Sequence, residues 1–316
     1  MRRTSRSASP TGTTRSTARR LPFLTALATA AALGVGVAAP AYAAEPAPAP
    51  SPTATPGAAP GAAPETAPGA APTVEGRAAF HPDRDFAGST VAAHEGRSST
   101  AGVAALAVTQ TPGLDVASYQ GNVNWGAAAA NGARFAYVKA SEGTTYRNPY
   151  FAQQYNGSYN AGLIRGAYHF ALPNSSSGAT QANWFVDHGG GWSADGRTLP
   201  PALDIEYNPY GATCYGLSQS GMVSWIRSFS DTVRSRTGRY PTIYTTTNWW
   251  TQCTGNYGGF GATNPLWIAR YSSSVGTLPN GWGYQTFWQY ADSGTFPGDQ
   301  DLFNGAADRL QALANG

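Results

Sequence analysis

The stretch Pro201-Ala-Leu-Asp-Ile-Glu-Tyr207 carries two carboxylates, Asp204 and Glu206, two positions apart in an apolar run. In a β-strand, side chains at positions i and i+2 point to the same face. Burying two acids side by side is expensive, so a pair of this kind in a buried strand indicates a functional site. The alternative interpretation is a strand end whose two acids are solvated.

Short apolar runs alternate with polar, helix-compatible stretches from Gly113 onward. The predicted strands are 113–117, 135–141, 164–172, 201–207, 241–246, 265–271, 284–290 and a short one near 301–303. The predicted helices are 125–131, 148–161, 177–188 and 217–237, with at most a short helix at 247–251. Strand–helix alternation predicts a parallel sheet, and this many strands favour closure. We therefore predict an α/β fold, an irregular TIM-like (β/α) barrel of about eight strands and five helices whose last strands lack full helices.

The N-terminal third differs in composition from the rest of the chain. Residues 1–43 combine an Arg-rich start, an apolar run over 21–38 and a small-residue site at 41–43, which predicts a cleaved secretion signal; an uncleaved membrane anchor is the alternative. Residues 44–110 begin as a Pro/Ala-rich stretch that predicts a disordered linker, and 77–110, with no clear period, read as more linker or as a pro-segment removed after export. The predicted globular domain is 111–316.

Net charge and cysteine content narrow the function classes. The chain has 20 basic and 17 acidic residues, but six of the arginines lie in the predicted signal, which leaves a net charge of −3. That balance gives no support to nucleic-acid binding. Cys214 and Cys253 are the two cysteines. In a secreted chain they predict one disulfide, and no Cys-x-x-Cys spacing points to a metal site.

Further polar residues lie on the other predicted strands. Asp115 is on the first, Lys139 and Glu142 on the second, and Asp301 on the last. Lys139 is the single lysine of the chain, so within an apolar strand we expect it to pair with Asp115 or Glu142; a structural ion pair in the barrel floor is the alternative. Because barrel sites form at the C-terminal ends of strands, several acids converging there would do chemistry or hold a cation.

Aromatic side chains and one histidine add to the candidate site. His169 follows Tyr168, and a lone histidine near a strand end is more often a hydrogen-bonded structural group than a base. Aromatic rings stack on the flat C–H faces of sugars, although many simply fill a barrel interior. The aromatics near predicted strand ends are Tyr119, Tyr137, Tyr168, Tyr207, Tyr244, Trp267, Tyr271, Trp288 and Tyr290. With paired acids, which can supply the proton donor and the stabilising carboxylate of glycoside hydrolysis, they favour a carbohydrate cleft.

These motifs resemble those of the family 25 glycoside hydrolases, which are N-acetylmuramidase lysozymes. The matching positions are Asp115-Val116, Gln120-Gly121, Gly132, Tyr137-Val138-Lys139, Ser141-Glu142-Gly143, Tyr146, Asn148, Gly166-Ala-Tyr-His-Phe170, Asp204-Ile-Glu206, Trp288-Gln-Tyr290 and Asp301. The resemblance covers about 113–315. It departs from the family pattern at Asn304, which we expect nearer the Asp, so that Asp299 is an alternative to Asp301.

The resemblance implies hydrolysis of the β-1,4 bond between N-acetylmuramic acid and N-acetylglucosamine in bacterial peptidoglycan. By position, Glu206 resembles the proton donor and Asp204 its helper, while Asp115 and Asp301 complete the acidic cluster. The predicted substrate-binding residues are Glu142, Lys139, Tyr137, Tyr168, His169, Tyr244, Trp267 and Gln289.

We expect a secreted, extracellular, monomeric enzyme that acts on glycan strands and needs no cofactor or metal. We expect it to bind no nucleic acid and, after signal cleavage, no membrane. The alternatives are a non-catalytic glycan-binding barrel, a chitinase-like hydrolase, and a hydrolase whose acids bind Mg²⁺ or Ca²⁺.

Overall fold

The computed structural model describes residues 80–99 and 109–316, and these belong to one compact unit. The predicted signal, 1–43, lies outside the described residues, as do 44–79 and 100–108 of the predicted linker. Within the described ranges no helix is both long and apolar enough to span a membrane.

Eight strands close into a barrel in the order β1, β2, β4, β5, β6, β7, β8, β9 and back to β1. Neighbouring strands are parallel, except that β9 is antiparallel to both β8 and β1. The short β3 forms an antiparallel hairpin with β2. The bounds are β1 Thr111–Val116, β2 Phe135–Glu142, β3 Tyr146–Arg147, β4 Ile164–Phe170, β5 Ala202–Asp204, β6 Thr242–Thr245, β7 Leu266–Ala269, β8 Phe287–Ala291 and β9 Asp299–Phe303. The predicted α/β barrel is confirmed.

Seven helices accompany the strands in the described part of the chain. They are α1 Val91–Glu95, α2 Trp125–Ala130, α3 Phe151–Asn160, α4 Gly178–Asp187, α5 Gln219–Thr237, α6 Thr247–Thr254 and α7 Ala307–Asn315. Helices α2 to α6 correspond to the five predicted ones, and no helix separates β7, β8 and β9 in the described residues, as expected. Helices α1 and α7 were not predicted; α1 lies in the stretch for which the sequence predicted no fold.

The barrel interior is filled by aromatic side chains. Tyr137 of β2 stacks on Trp267 of β7 with ring centroids 4.8 Å apart, and Tyr244 of β6 meets the same indole edge-on at 4.8 Å. All eight residues of β2 are buried, because the interior covers one face of a barrel strand and the helices cover the other. The aromatic side chains therefore pack closely inside the barrel and hold the polar groups next to them in position.

The long helix α5 anchors the outer layer next to β5. It begins at Ser218, whose hydroxyl accepts a hydrogen bond from the Gly221 amide, and ends at Gly238 in the left-handed conformation. Its buried residues recur at helical spacing: Met222, Trp225, Ile226, Phe229, Ser230 and Val233. Gly178 of α4 touches the Trp225 backbone so closely that a Cβ would lie 2.2 Å from the carbonyl oxygen. The pair of helices thus packs tightly behind the strands that carry the acids.

Strand β5 is shorter than the sequence predicted. The prediction extended it to Tyr207, but its parallel pairing ends with Asp204, which lies opposite Phe170 of β4 and Tyr244 of β6. The Ile205 amide still donates to the Tyr244 carbonyl oxygen at 3.0 Å, after which the chain leaves the sheet. Asp204 therefore lies at the end of the strand and Glu206 in the loop that follows.

Candidate active site

Besides Glu142 and Asp85, five carboxyl groups are buried at the end of the barrel where the parallel strands finish. Because β9 runs antiparallel to its neighbours, its first residues meet the C-terminal ends of the other strands, and Asp299 lies opposite Asp115 in the register. Each of the five is exposed by 2% or less. They are Asp115, Asp204, Glu206, Asp299 and Asp301. The structure thus brings together all four predicted catalytic residues and also Asp299.

Glu206 and Asp204 form the centre of this group. Burial raises the pKa of Glu206 to about 8, so that this carboxyl holds its proton at neutral pH. Burial, followed by the charge of Glu206, raises the pKa of Asp204 well above its ordinary value. Neither carboxyl oxygen of Asp204 has a hydrogen-bond partner within the described residues. A buried carboxyl without protein partners is unusual, and is explained where a ligand or water completes it.

Asp115, Asp299 and Asp301 are linked by an amide and by the interaction of their charges. Burial raises the pKa of Asp115 to about 7, and burial, followed by the charge of Asp115, raises the pKa of Asp301 well above its ordinary value. The Trp267 indole N–H donates to Asp301 Oδ1 at 2.8 Å. The Gln289 amide nitrogen donates to Asp115 Oδ2 at 2.8 Å and to Asp299 Oδ2 at 2.9 Å. Both Asp299 and Asp301 therefore belong to the cluster.

The other end of the Gln289 amide ties the cluster to two tyrosines. Its Oε1 accepts hydrogen bonds from the hydroxyls of Tyr244, at 2.7 Å, and Tyr271, at 3.2 Å. Gln289 and Tyr244 were predicted to bind substrate, whereas Tyr271 was noted from the sequence only as one of many aromatics. Its role is visible only once β8 brings Gln289 beside the loop after β7.

Lys139 pairs with Glu142, the second of its two predicted partners, and not with Asp115. Nζ lies 2.6 Å from Glu142 Oε2, and both side chains are fully buried. In a regular strand, residues three apart point to opposite faces, but the pairing of β2 with β4 shifts register between Lys139 and Ser141. This irregularity turns Glu142 to the inside with Lys139. Glu142 Oε1 accepts a further bond from the Tyr210 hydroxyl at 2.7 Å, a contact that the sequence did not predict.

Two predicted substrate-binding residues lie away from the acids. The Tyr137 hydroxyl donates to the Pro200 carbonyl oxygen at 3.0 Å, at the end of the barrel where the parallel strands begin. His169 points out of the barrel, since it follows the inward-facing Tyr168. Its ring nitrogens lie 2.9 Å from Ser141 Oγ and 3.0 Å from Gln181 Oε1, and burial lowers its pKa to about 4. The imidazole is therefore neutral at physiological pH.

The predicted disulfide is present. Cys214, in the loop after β5, is bonded to Cys253 of α6, with Cα atoms 5.3 Å apart. The bond ties the loop that follows Glu206 to a helix of the outer layer. It thereby supports the part of the chain that leaves the sheet at Asp204.

Residues 80–99, which we name the cleft segment, lie directly on the acid cluster. The Gly88 amide donates to Glu206 Oε1 at 2.6 Å, and Lys139 Nζ donates to the Pro82 carbonyl oxygen at 3.0 Å. Sequence analysis missed these contacts because they join residues separated by 118 and 57 positions. Within residues 80–99 and 109–316, no group of three or more His, Cys, Asp or Glu side chains is arranged to hold a metal ion.

Comparison with known proteins decides the family. The model of the glycosyl hydrolases family 25 matches residues 114–299. This chain belongs to glycosyl hydrolase family 25. It is a glycoside hydrolase of the lysozyme, or muramidase, type, as the motifs indicated.

Similar proteins carry the names of lysozymes and muramidases. The N,O-diacetylmuramidase of Chalaropsis sp is 50% identical over 208 residues, which cover 65% of this chain and 99% of the relative. Lysozyme M1 of Streptomyces globisporus is 50% identical over 208 residues, covering 64% of this chain and 71% of the relative. The solved structure of a muramidase from Acremonium alcalophilum is 61% identical, with a TM-score of 0.65, over 65% of this chain and 99% of that one.

Proposed function

We propose that this lysozyme is secreted and hydrolyses the β-1,4 bond between N-acetylmuramic acid and N-acetylglucosamine in bacterial peptidoglycan, with Glu206 as proton donor and Asp204 assisting. The observation that carries the proposal is the carboxyl pair Asp204 and Glu206 at the end of β5, within a cluster of buried carboxyl groups. The family and the names of its relatives support the substrate class.

Glu206 has the property that a general acid needs. The oxygen that leaves the sugar must be protonated as the glycosidic bond breaks, and a carboxyl group can give that proton at neutral pH only when its pKa is raised. Burial supplies this in Glu206. The position of Glu206 in a loop, beyond the last paired residue of β5, lets its side chain reach a glycan laid across the mouth of the barrel.

Asp204 is suited to a different role. Positive charge develops at the anomeric carbon in the transition state, and a carboxylate beside it, or one that orients the substrate's acetamido group, stabilises that charge. The two oxygens of Asp204 have no hydrogen-bond partner in the described residues, so they are available to substrate. Because like charges at short range oppose double ionisation, Asp204 and Glu206 do not both give up their protons readily.

The surrounding groups hold this pair in a low-dielectric setting. Asp115 and Asp299, joined by the Gln289 amide, form a connected network beside it, and Lys139 with Glu142 supplies an ion pair. Such preorganised dipoles stabilise developing charge without having to reorient during the reaction. We assign the predicted substrate contacts to Tyr168, Tyr244 and Trp267 along this wall.

Export remains part of the proposal. The Arg-rich start, apolar run and small-residue site of 1–43 support a signal peptide, and the disulfide suits an oxidising compartment. We propose an extracellular monomer that acts on cell-wall glycan strands without a cofactor.

The test is lysis of purified peptidoglycan, followed by turbidity and by release of reducing ends. Glu206→Gln should lower kcat by at least about 100-fold with a small change in KM, because the proton donor is lost while the shape is kept. Asp231→Asn, an exposed acid on α5, is the matched control and should leave lysis unchanged. If Glu206→Gln lysed peptidoglycan as fast as the wild type, Glu206 would not be the proton donor. Release from chitin but not from cell walls would favour a chitinase instead, and NMR of the first product would fix the stereochemistry.

A further inference from the structure

The cleft segment contacts the residues proposed to act on substrate. Both carboxyl oxygens of Glu206 are engaged: Oε1 by the Gly88 amide at 2.6 Å and Oε2 by the Thr90 hydroxyl at 3.4 Å. The Gly88 carbonyl oxygen accepts from the Tyr271 hydroxyl at 3.0 Å, and the Ala87 carbonyl oxygen accepts from the Gln289 amide at 2.8 Å. The backbone of residues 87 and 88 therefore takes up hydrogen-bonding groups that a glycan would use.

Gly88 occupies a position that admits only glycine. Its φ is +89°, a conformation that side chains disfavour, and an added Cβ would lie 2.2 Å from the Tyr271 hydroxyl and 2.5 Å from Gln289 Oε1. Ala87 and Val91 on either side are fully buried. The segment thus lies among the polar residues of the barrel mouth, and Gly88, which has no side chain, packs against Tyr271 and Gln289.

Further contacts hold the two ends of the segment. Before the glycine, Lys139 Nζ donates to the carbonyl oxygens of Pro82, at 3.0 Å, and Asp85, at 2.5 Å. After it, the His94 ring stacks on Tyr207 with centroids 3.9 Å apart and planes within 4°. The Tyr207 hydroxyl donates to Glu95 at 2.8 Å. Hydrogen bonds and a ring stack at the two ends of the segment therefore hold its backbone over the acids.

Such coverage leaves no path for a glycan to the acids. Glu206 and Asp204 are each 1% exposed with the segment in place. The Chalaropsis muramidase is matched over 99% of its length by an alignment of 208 residues, which covers 65% of this chain. The segment lies outside the family match, which begins at residue 114.

We propose that the cleft segment is an intramolecular inhibitor, which keeps this lysozyme latent by occupying its substrate cleft until it is displaced. The inference rests on the proposed function, because it takes the Glu206 cluster to be the active site. The inference agrees with the interpretation of residues 77–110 as a pro-segment. The cleft segment would compete with substrate for the same hydrogen-bond donors and acceptors. Substrate can bind only to the fraction of molecules in which the segment has left.

The test uses the full chain with one substitution in the segment. Gly88→Ala should dislodge the segment, because the methyl group collides with Tyr271 and Gln289. Gly96→Ala is the matched control: Gly96 also has a positive φ, +74°, but a Cβ there would meet nothing within 4 Å. If the cleft is open in about a tenth of wild-type molecules or fewer, Gly88→Ala raises kcat/KM on soluble peptidoglycan fragments at least about 10-fold, and Gly96→Ala changes it less than about 2-fold.

Amide hydrogen exchange over residues 86–91 reports the position of the segment without depending on catalysis. The expected result is loss of protection in Gly88→Ala alone, together with the rise in activity. Lost protection with wild-type activity would overturn the proposal, and so would retained protection in Gly88→Ala. A synthetic peptide of residues 80–99 should inhibit Gly88→Ala competitively, whereas the same peptide with Ala at position 88 should not.

A double variant separates this proposal from the proposed function. In Gly88→Ala/Glu206→Gln the segment should still be released, as judged by exchange, but lysis should be lost. Persistent lysis there would remove Glu206 as proton donor and leave the inhibitory role of the segment standing. Loss of lysis in the double variant, without any gain in Gly88→Ala, would uphold the donor and overturn the inhibition.

Discussion

Lys139 and Glu142 form a fully buried ion pair, with Nζ and Oε2 2.6 Å apart, although they lie three positions apart on one strand. The register shift in β2 brings them to the same side. Lys139 also donates to two carbonyl oxygens of the cleft segment. The pair therefore connects an irregularity of one barrel strand to the cleft segment.

Removing one partner of this pair should destabilise the protein strongly. Lys139→Met keeps the length of the side chain but leaves Glu142 without its cation, and the loss should be about 3–5 kcal/mol in the free energy of unfolding. Urea denaturation at pH 7 measures it. Lys139→Met/Glu142→Gln, which also removes the unpaired charge, should recover part of the loss. A double variant less stable than the single one would contradict the ion-pair account.

Glu206 should make stability depend on pH. Its pKa is about 8 when folded and near 4.5 when unfolded, so the folded state retains a proton that the unfolded state releases. The stabilising contribution is complete below about pH 4.5 and is lost as pH rises through about 8. Glu206→Gln should therefore match wild type near pH 4.5 and exceed it by up to a few kcal/mol near pH 8. Calorimetry at both pH values checks this, and an equal difference at both would refute it.

His169 should support the fold without contributing to substrate binding. Its ring is bonded to Ser141 and Gln181 and lies 5.5 Å from both the Phe185 and the Phe229 ring. His169→Ala leaves a cavity and removes the partner of the Ser141 hydroxyl, at a cost of about 2–4 kcal/mol. KM and kcat measured below the unfolding transition should change less than about 2-fold. Gln289→Leu is the contrasting variant, with a clear fall in kcat. A large rise in KM for His169→Ala would restore its predicted substrate contact.

The disulfide should contribute measurable stability. Cys214 and Cys253 close a loop of 39 positions, for which chain entropy predicts about 3–4 kcal/mol. Cys214→Ala/Cys253→Ala should lower the free energy of unfolding by about that amount, and addition of reductant to wild type should have the same effect. The double alanine variant serves as the control, since reductant should not destabilise it further. A wild-type melting temperature unaffected by reductant would be inconsistent with this role.

The sequence predicted the barrel and most of its acids because these depend on local patterns. Alternation of strands and helices predicts a parallel sheet. The family motifs also group Asp115, Asp204, Glu206 and Asp301. Helix α7 was missed because a nine-residue stretch with two buried side chains, Leu310 and Ala314, gives a weak periodic signal.

Other features depended on contacts between distant residues. A shift of register between β2 and β4 decides which acid pairs with Lys139. The length of β5 is set by the point at which its pairing with the neighbouring strands ends. The composition of residues 80–99 does not predict the hydrogen bond from the Gly88 amide to Glu206, 118 positions away. The sequence by itself determined that Asp204 and Glu206, two positions apart in an apolar run, belong to a glycoside hydrolase barrel. Only the tertiary structure decided that a glycine from outside the barrel covers them, since hydrogen bonds of such long range follow from the packed chain and not from local pattern.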